Sequence, residues 1–535
     1  MLIAAGSATL VGPLALAGSA SAEPSEAEPF AGPESTAEPN PFTPKRQFRA
    51  MWIATVLRLD WPSPGAIEAM KAEYEQMLDF AVATHQNAVI VQVRPTADSF
   101  WPGALEPWSR YLTGTAGQDP GWDPLAFLVE AAHARNLEFH AWFNPYRVSM
   151  PASATEAGVD ITKLAANHPV RNNPNWVIPY PINNAAGRLY YDPGIPEVRR
   201  FCQDSVLDAV TKYDIDGVHF DDYFYPYPAA GQEFLDDATF AQYGQGWTNR
   251  NDWRRNNINL LIQEMSQRIK EVKPWVKFGV SPFGIWRNKA TDPTGSETNG
   301  LQSYDAIMCD SRKWVQERWI DYIVPQVYWN IGFAVADYAK LVPWWSSVCE
   351  GTGVHLYVGE ANYKQGLAGQ PAQWFRPEEI SSHLTFDHDY AAVKGNVHFR
   401  AKIVIGDPLG STTRFVADHY SKPALVPTMP HLASEPLNYP IIKHVSRGGD
   451  GVTLTLKPTA LGQDYGEVTS YAVYRFAWGE QPYFQDASHL VGSVRATGKE
   501  TTFVDKAAPA ERCYYIATAL DRLWNESPPS PPRFV

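Results

Sequence analysis

Cysteine is scarce in this sequence. The four residues in 535, Cys202, Cys309, Cys349 and Cys513, lie far apart and show no CxxC or Cys/His ligand spacing. That excludes a disulfide scaffold and a cysteine-held metal site. The four are read as buried thiols, with one isolated disulfide as the alternative. Positive charge is also short: 45 Lys and Arg stand against 58 Asp and Glu, for a formal net charge of −13. The chain therefore lacks the clustered cations that displace counterions from a nucleic-acid backbone, and no nucleic-acid partner is expected. Past the amino terminus no apolar run reaches the roughly 20 residues of a membrane span, so the mature chain is expected to carry no transmembrane segment. Lys and Arg are absent before Lys45. Leu2 to Ala17 is small and apolar, and Ala20-Ser21-Ala22 before Glu23 is an A-x-A cleavage site, so residues 1–22 read as a signal peptide whose positive n-region is missing. The expectation is a start further upstream, a twin-arginine pair among the options, and no Cys in this stretch forms a lipobox. The protein is expected to be secreted, extracellular or cell-wall associated.

Aromatic residues, by contrast, are plentiful at 13%, including 19 Trp and 26 Tyr. Flat rings with a polar edge stack on sugar C–H faces, although large barrels bury many of them for packing alone. A chain of 535 residues is too long for one ordinary core and implies two or three domains. Residues 23–45 carry five Glu, many Pro and no apolar period, and read as a disordered spacer. From Arg46 on, short apolar runs alternate with helical stretches, the pattern of repeated βα units. Strands are predicted at Phe48–Thr55, Ala88–Arg94, Glu138–Asn144, Gly217–Tyr223, Lys277–Phe283, Asp321–Tyr328, Val354–Glu360 and His398–Ile405. Amphipathic segments between them include Ile67–Thr84, Pro124–Arg135, Val198–Tyr213, Asn256–Val272 and Trp314–Trp319. Eight such units over 46–423 predict an α/β fold, a (β/α)₈ TIM barrel. Its longest insertions, after the third, fourth and fifth strands, would lie on the catalytic face. A Pro-rich linker at 424–440 then leads to alternating strands at Val452–Lys457, Tyr471–Phe476, Thr501–Val504 and Cys513–Leu520. Residues 441–535 are thus expected to form an all-β, fibronectin-III-like sandwich.

The segment Asp216-Gly217-Val218-His219-Phe220-Asp221-Asp222-Tyr223 carries the clearest chemistry. Strand alternation puts Val218 and Phe220 on one face and His219, Asp221 and Tyr223 on the other. The apolar pair belongs against the helices, so Asp221 points inward at the strand's carboxyl end, where barrel enzymes keep their reacting groups. Two adjacent aspartates there are hard to explain by packing, since each resists burial and repels the other; capping or bracketing the loop competes as the role of Asp222. Other strand ends converge on the same mouth: Gln92 and Arg94 from the second, His140, Trp142, Asn144, Tyr146 and Arg147 from the third, Trp286 from the fifth, and Gln326, Tyr328, Trp329 and Asn330 from the sixth. The seventh ends at Glu360, followed by Tyr363. Glycoside cleavage needs two carboxyl groups flanking the bond. Asp221 and Glu360 form the first candidate pair, with Asp222 and Asp310 in reserve. A helix-capping role competes for Asp310. Arg94, His140, Asn144, Tyr146, His219, Tyr223, Trp286, Gln326, Tyr328, Trp329 and Tyr363 are candidate substrate-binding residues, Arg94 being equally readable as half of a structural ion pair. No metal or cofactor is called for.

Arg49-Ala50-Met51-Trp52-Ile53-Ala54-Thr55-Val56 with Asp60-Trp61-Pro62, the run Gly217–Pro228, Gly279-Val280-Ser281-Pro282-Phe283-Gly284-Ile285-Trp286-Arg287, Arg312-Lys313-Trp314-Val315 and Trp319–Trp329 together resemble the bacterial glycosyl-hydrolase-like family ten. The resemblance spans nearly all of 46–420. It implies an exported TIM-barrel glycosidase, often followed by a fibronectin-III-like module, acting on a polysaccharide. Peptidoglycan glycan strands stripped of stem peptides lead the substrate classes. It also implies that the Glu360 position is commonly not a carboxylate, which shifts weight to Asp222 or Asp310. Two rivals stay open: a glycosidase for a galactosamine-containing exopolysaccharide, and a non-catalytic glycan-binding wall protein. A metal-dependent deacetylase is weaker, because only His219 beside Asp221 hints at ligand spacing.

Overall fold

A computed structural model describes residues 38–153, 156, 158–182, 187–459 and 466–535; the signal-peptide reading and most of the spacer lie outside the described residues. Eight parallel strands close into a barrel: β1 (Phe48–Ile53), β2 (Ala88–Arg94), β3 (Glu138–Phe143), β4 (Gly217–Phe220), β5 (Lys277–Val280), β6 (Tyr322–Ile323), β7 (His355–Glu360) and β8 (Val393–His398). They follow chain order around the ring, and Phe48 pairs with Gly395 to shut it. Long helices at Ile67–Ala83, Pro124–Ala134, Pro196–Lys212 and Arg250–Val272 sheathe the outside with buried rows that include Leu78, Leu128, Val206 and Ile262. Val218 and Phe220 join that outer core. His140, His219 and Tyr322 fill the axis with rings, hydrogen-bonded to one another through the Tyr322 hydroxyl. Space for them comes from glycine. A Cβ on Gly217 would lie 2.5 Å from the His140 ring, and one on Gly279 would lie 2.2 Å from the Tyr322 ring. Neither position tolerates a side chain without displacing a ring.

The last barrel strand departs from expectation. It spans Val393–His398, while the apolar run predicted as strand folds as the helix Ala401–Gly406 and buries Val404. In β8 the outward residues Asn396 and His398 bond to buried polar partners, so the strand carries no hydropathy signal. The spacer reading also needs correction at its end. Asn40 donates to Asp486 (2.9 Å) and Ala487 donates to the Thr43 carbonyl (2.8 Å), tying the chain down before Lys45.

Seven further strands follow: β9 (Pro440–Gly448), β10 (Gly451–Pro458), β11 (Ser470–Ala477), β12 (Leu490–Arg495), β13 (Thr501–Asp505), β14 (Cys513–Leu520) and β15 (Arg533–Phe534). They form a three-stranded sheet, β9-β10-β13, and a four-stranded one, β12-β11-β14-β15. Leu454 and Leu456 of the first share a core with Val473 and Tyr515 of the second. The three strands absent from the sequence prediction, β9, β12 and β15, are all edges, where alternation is weakest. The other face of the larger sheet packs against the amino-terminal end of the barrel, with Tyr474, Ile516 and Trp524 in one cluster with Phe48 and Ala50. The Pro-rich segment 424–440 is no free linker, since Leu425, Val426, Met429 and Leu432 are buried in that same cluster. All four cysteines are buried and free, and no described helix is long and apolar enough to cross a membrane.

Candidate active site

β4 ends at Phe220, and the chain leaves the sheet there, so strand parity no longer separates the next two residues. Asp221 and Asp222 both turn into a cleft of about 460 Å³ at the carboxyl end of the barrel. Its walls carry Trp52, Trp142, Tyr223, Tyr227, Phe283, Tyr328, Trp329, Tyr363 and Phe399, with Gln92, Arg147, Ser281, Gln326 and Lys364 among the polar groups. Such a cleft offers ring faces to a sugar and a few fixed donors and acceptors.

Asp221 is held at both oxygens. Asn144 donates to Oδ2 (2.8 Å), the Asp222 backbone N–H donates to Oδ1 (2.9 Å), and Gln326 reaches Oδ1 at 3.4 Å. Asn144 is oriented in turn by Gln92, whose amide donates to it (2.6 Å) while its carbonyl accepts from the backbone N–H groups of Thr55 and Val56. Asp222 sits in contact with this assembly. Burial first, and then the neighbouring Asp221 carboxylate, to which its carboxyl is hydrogen-bonded, push Asp222 well above the usual carboxylate range; a bond donated by the Tyr227 hydroxyl only partly offsets this. Asp222 is therefore the member of the pair that holds its proton the more firmly. That is an environment in which a carboxyl group can give a proton to a leaving oxygen. Burial also raises the phenols of Tyr223, Tyr227 and Tyr328, which stay un-ionised. The Arg147 guanidinium lies 5.3 Å over the Tyr223 ring.

Of the residues singled out from the sequence, the structure brings Asp221, Asp222, Asn144, Tyr223, Gln326, Tyr328, Trp329 and Tyr363 together at this mouth. Others lie elsewhere. Glu360 does not cross the opening from Asp221. Tyr357 packs in the axial cluster, so Glu360 has the opposite parity and faces the helices, bonded to His383 (2.8 Å), Tyr338 (2.8 Å) and Asn396 (3.1 Å). Asp310 accepts from the Trp286 indole (3.0 Å) and lines a different hollow with Trp247 and Lys313. Trp286 itself stacks on Trp344 at 5.9 Å. Arg94 is fully buried in a two-pronged ion pair with Glu106 (2.5 Å) and also donates to the Asn144 carbonyl (2.5 Å), so it braces the wall without meeting substrate. His140 bonds Glu138 (2.9 Å) deep in the barrel, and Tyr146 is buried in the outer core. His219 lies beneath the cleft floor, bonded to Ser281 (2.9 Å) and Trp52 (3.2 Å), and burial drives its imidazole well below its ordinary range, so it is neutral. Tyr227 and Phe399 escaped sequence reasoning because both sit in loops, outside any period.

An eight-stranded parallel barrel with an acid pair and aromatic walls at its carboxyl mouth is the architecture of many glycosidases. The chain belongs to the family described as Glycosyl hydrolase-like 10, whose model matches residues 47–376. It is 46% identical over 487 residues to a protein named glycosyl hydrolase YngK from Bacillus subtilis, covering 90% of this chain and 92% of that one. It is 38% identical over 372 residues to glycosyl hydrolase DigH from Escherichia coli K12, covering 66% of this chain and 82% of that one. Among solved structures it is similar to an α-L-fucosidase from Paenibacillus thiaminolyticus, at 13% identity and a TM-score of 0.44 over 70% of this chain and 49% of that one.

Proposed function

We propose that this protein is an exported glycoside hydrolase that cuts an amino-sugar-containing glycan, with Asp222 as general acid and Asp221 as its partner. The observation that carries the reading is the pair of adjoining carboxyl groups, Asp221 held by Asn144 and the Asp222 N–H, turned into a sugar-sized, ring-walled cleft, with burial and Asp221 raising the Asp222 carboxyl. Family membership and two relatives named glycosyl hydrolases support the reaction class. Peptidoglycan strands without stem peptides are the leading substrate, with the carboxyl-terminal sheets acting as a fibronectin-III-like module outside the cell. The test is release of reducing ends from such strands and, side by side, from a galactosamine-containing exopolysaccharide. Cleavage of the first alone supports the reading; cleavage of the second alone reassigns the substrate. Asp222→Asn should lower the rate about 10²–10⁴-fold. Glycan binding without any cleavage by the unmodified protein would make it a wall-binding protein instead.

A further inference from the structure

Acid-catalysed cleavage of a glycosidic bond also needs something to take the anomeric carbon as the leaving oxygen departs. In enzymes that supply this from a second carboxyl group, the two stand about 5–5.5 Å apart for direct attack, or roughly 6.5–9.5 Å apart when a water is activated between them. Asp221 and Asp222 satisfy neither arrangement. They are consecutive residues at the end of one strand, the Asp222 backbone N–H donating to Asp221 Oδ1 (2.9 Å), and both line the same wall of the cleft, so they approach a sugar ring from the same side. Among the described residues no third carboxylate lines the cleft. Glu360 and Asp310, the acids that would have filled the role, are committed elsewhere. The other lining groups are poor substitutes. The tyrosines are held un-ionised, Ser281 is engaged with His219 and the Phe220 carbonyl, and Lys364 donates to the Tyr328 carbonyl at 2.5 Å.

We propose that the missing nucleophile belongs to the substrate: the carbonyl oxygen of a 2-acetamido group on the sugar being cut, with Asp221 receiving the amide N–H and Asp222 protonating the leaving oxygen. The proposal rests on the hydrolase reading above and narrows its substrate class to N-acetylated 2-amino sugars. Asp221 suits the task, because Asn144, Gln326 and the Asp222 N–H fix its carboxyl group in the wall of the cleft. In the first step the proton of Asp222 passes to the glycosidic oxygen as its bond to C1 breaks. The acetamido oxygen bonds to C1, and the amide proton moves to Asp221, leaving an oxazoline. Water then adds to C1 from the vacated side and gives a proton to the Asp222 carboxylate. The oxazoline C–O bond opens, and Asp221 returns its proton to nitrogen. One glycosidic bond and one water are consumed, and both aspartates end as they began. Attack from behind the leaving oxygen requires the nitrogen at C2 to be trans to it, so the linkage cut is 1,2-trans and the product keeps its configuration.

The test compares fully N-acetylated peptidoglycan glycan strands with the same strands chemically de-N-acetylated, using the intact protein, and follows the first-formed anomer by proton NMR. The expected result is a retained anomer and a kcat lower on the de-N-acetylated strands by on the order of 100-fold or more, the loss of a nucleophile held in place. A thiazoline of N-acetylglucosamine, which mimics the bicyclic intermediate, should compete with the acetylated strands. An inverted first product, or equal kcat on both substrates, overturns the acetamido proposal and leaves the hydrolase reading standing. No cleavage of any glycan removes both.

Discussion

Arg94 offers a direct way to separate bracing from binding. Its guanidinium and the Glu106 carboxylate face each other with side-chain exposures of 0% and 1%, joined at 2.5 Å through Nε and Nη2, while Nη1 donates to the carbonyls of Asn144 (2.5 Å) and Pro145 (3.0 Å). Arg94→Met removes every one of these bonds and leaves Glu106 buried without its counter-ion. Burial already pushes that carboxyl up, so it will take a proton and not stay charged. Loss of one partner of a buried pair costs about 3–5 kcal/mol, and the protonation keeps this pair near the lower end. The two orphaned carbonyls add roughly 1 kcal/mol each. Adding Glu106→Gln removes the unpaired acid but not the orphaned carbonyls, so the double variant should recover about 3 kcal/mol in a double-mutant cycle read from urea midpoints. Kinetically, kcat should fall, because Asn144 loses its backbone anchor and Asn144 holds Asp221, while KM stays within a factor of two or so of the unmodified protein. If the single variant unfolds within 1 kcal/mol of the parent while KM rises tenfold, Arg94 grips substrate and the structural account fails.

Glu360→Gln removes a charge from a fully buried cluster with His383, so it should lower the melting midpoint markedly and leave kcat per folded molecule unchanged; a thousandfold loss of kcat in a protein that melts normally would return Glu360 to the active site. Burial alone would lower the His383 imidazole, but Glu360 and Glu379 outweigh it and hold the group up to about 9. That contribution, roughly 3 kcal/mol, is fully present below the imidazole's unfolded value and disappears as pH rises through about 9, so melting midpoints should drop across that window and His383→Gln should flatten the drop. Because Asp222 must be protonated to act, kcat/KM should decline as pH rises through its elevated range, and Asp222→Asn should leave a residual rate without that alkaline limb. Asn144→Ala frees one oxygen of Asp221 and leaves Gln92 without its acceptor, and should cost on the order of 10²-fold in kcat with little change in fold.

Much of the barrel and half of the site were legible because both obey simple periods. Alternation along Gly217–Phe220 put Val218 outward and His219 inward, and Asp221 fell where the strand ends. The same rule, applied to His355–Glu360, would have rejected Glu360: Leu356 and Val358 are the outward apolar pair, and Glu360 shares their parity. What misled there was the chemistry of a carboxylate at a strand end, preferred over the geometry of the strand. Asp222 was legible only as a reserve for the opposite reason, since it enters the cleft because β4 stops two residues earlier, and strand ends are set by tertiary pairing. Trp286 and Asp310 look like site residues by type, yet they satisfy each other. β8 was missed because its outward side chains are polar and its space-making residue is Gly395, where a Cβ would lie 1.9 Å from the Phe48 carbonyl oxygen.

The parts that hydropathy could not show belong to one polar column along the barrel axis. Trp524 of the carboxyl-terminal sheets donates to Glu138 (2.8 Å), which also pairs with Lys277 and accepts from His140 (2.9 Å). His140 bonds the Tyr322 hydroxyl (2.8 Å), Tyr322 bonds His219 (3.2 Å), and His219 bonds Ser281 (2.9 Å), whose carbonyl accepts from Gln326 (3.0 Å) beside Asp221. Burial pushes Glu138 up, but Lys277 and His140 outweigh it and keep it ionised, while burial keeps His219 neutral. Transmission of a signal would require an element with two arrangements of similar energy. The column is buried along Glu138, His140, Tyr322 and His219, and its hydrogen bonds join the two ends of the barrel in one arrangement. Through Trp524 and Glu138 the carboxyl-terminal sheets cap the amino-terminal end of that column, whose far end holds Gln326, and through it Asp221, in position.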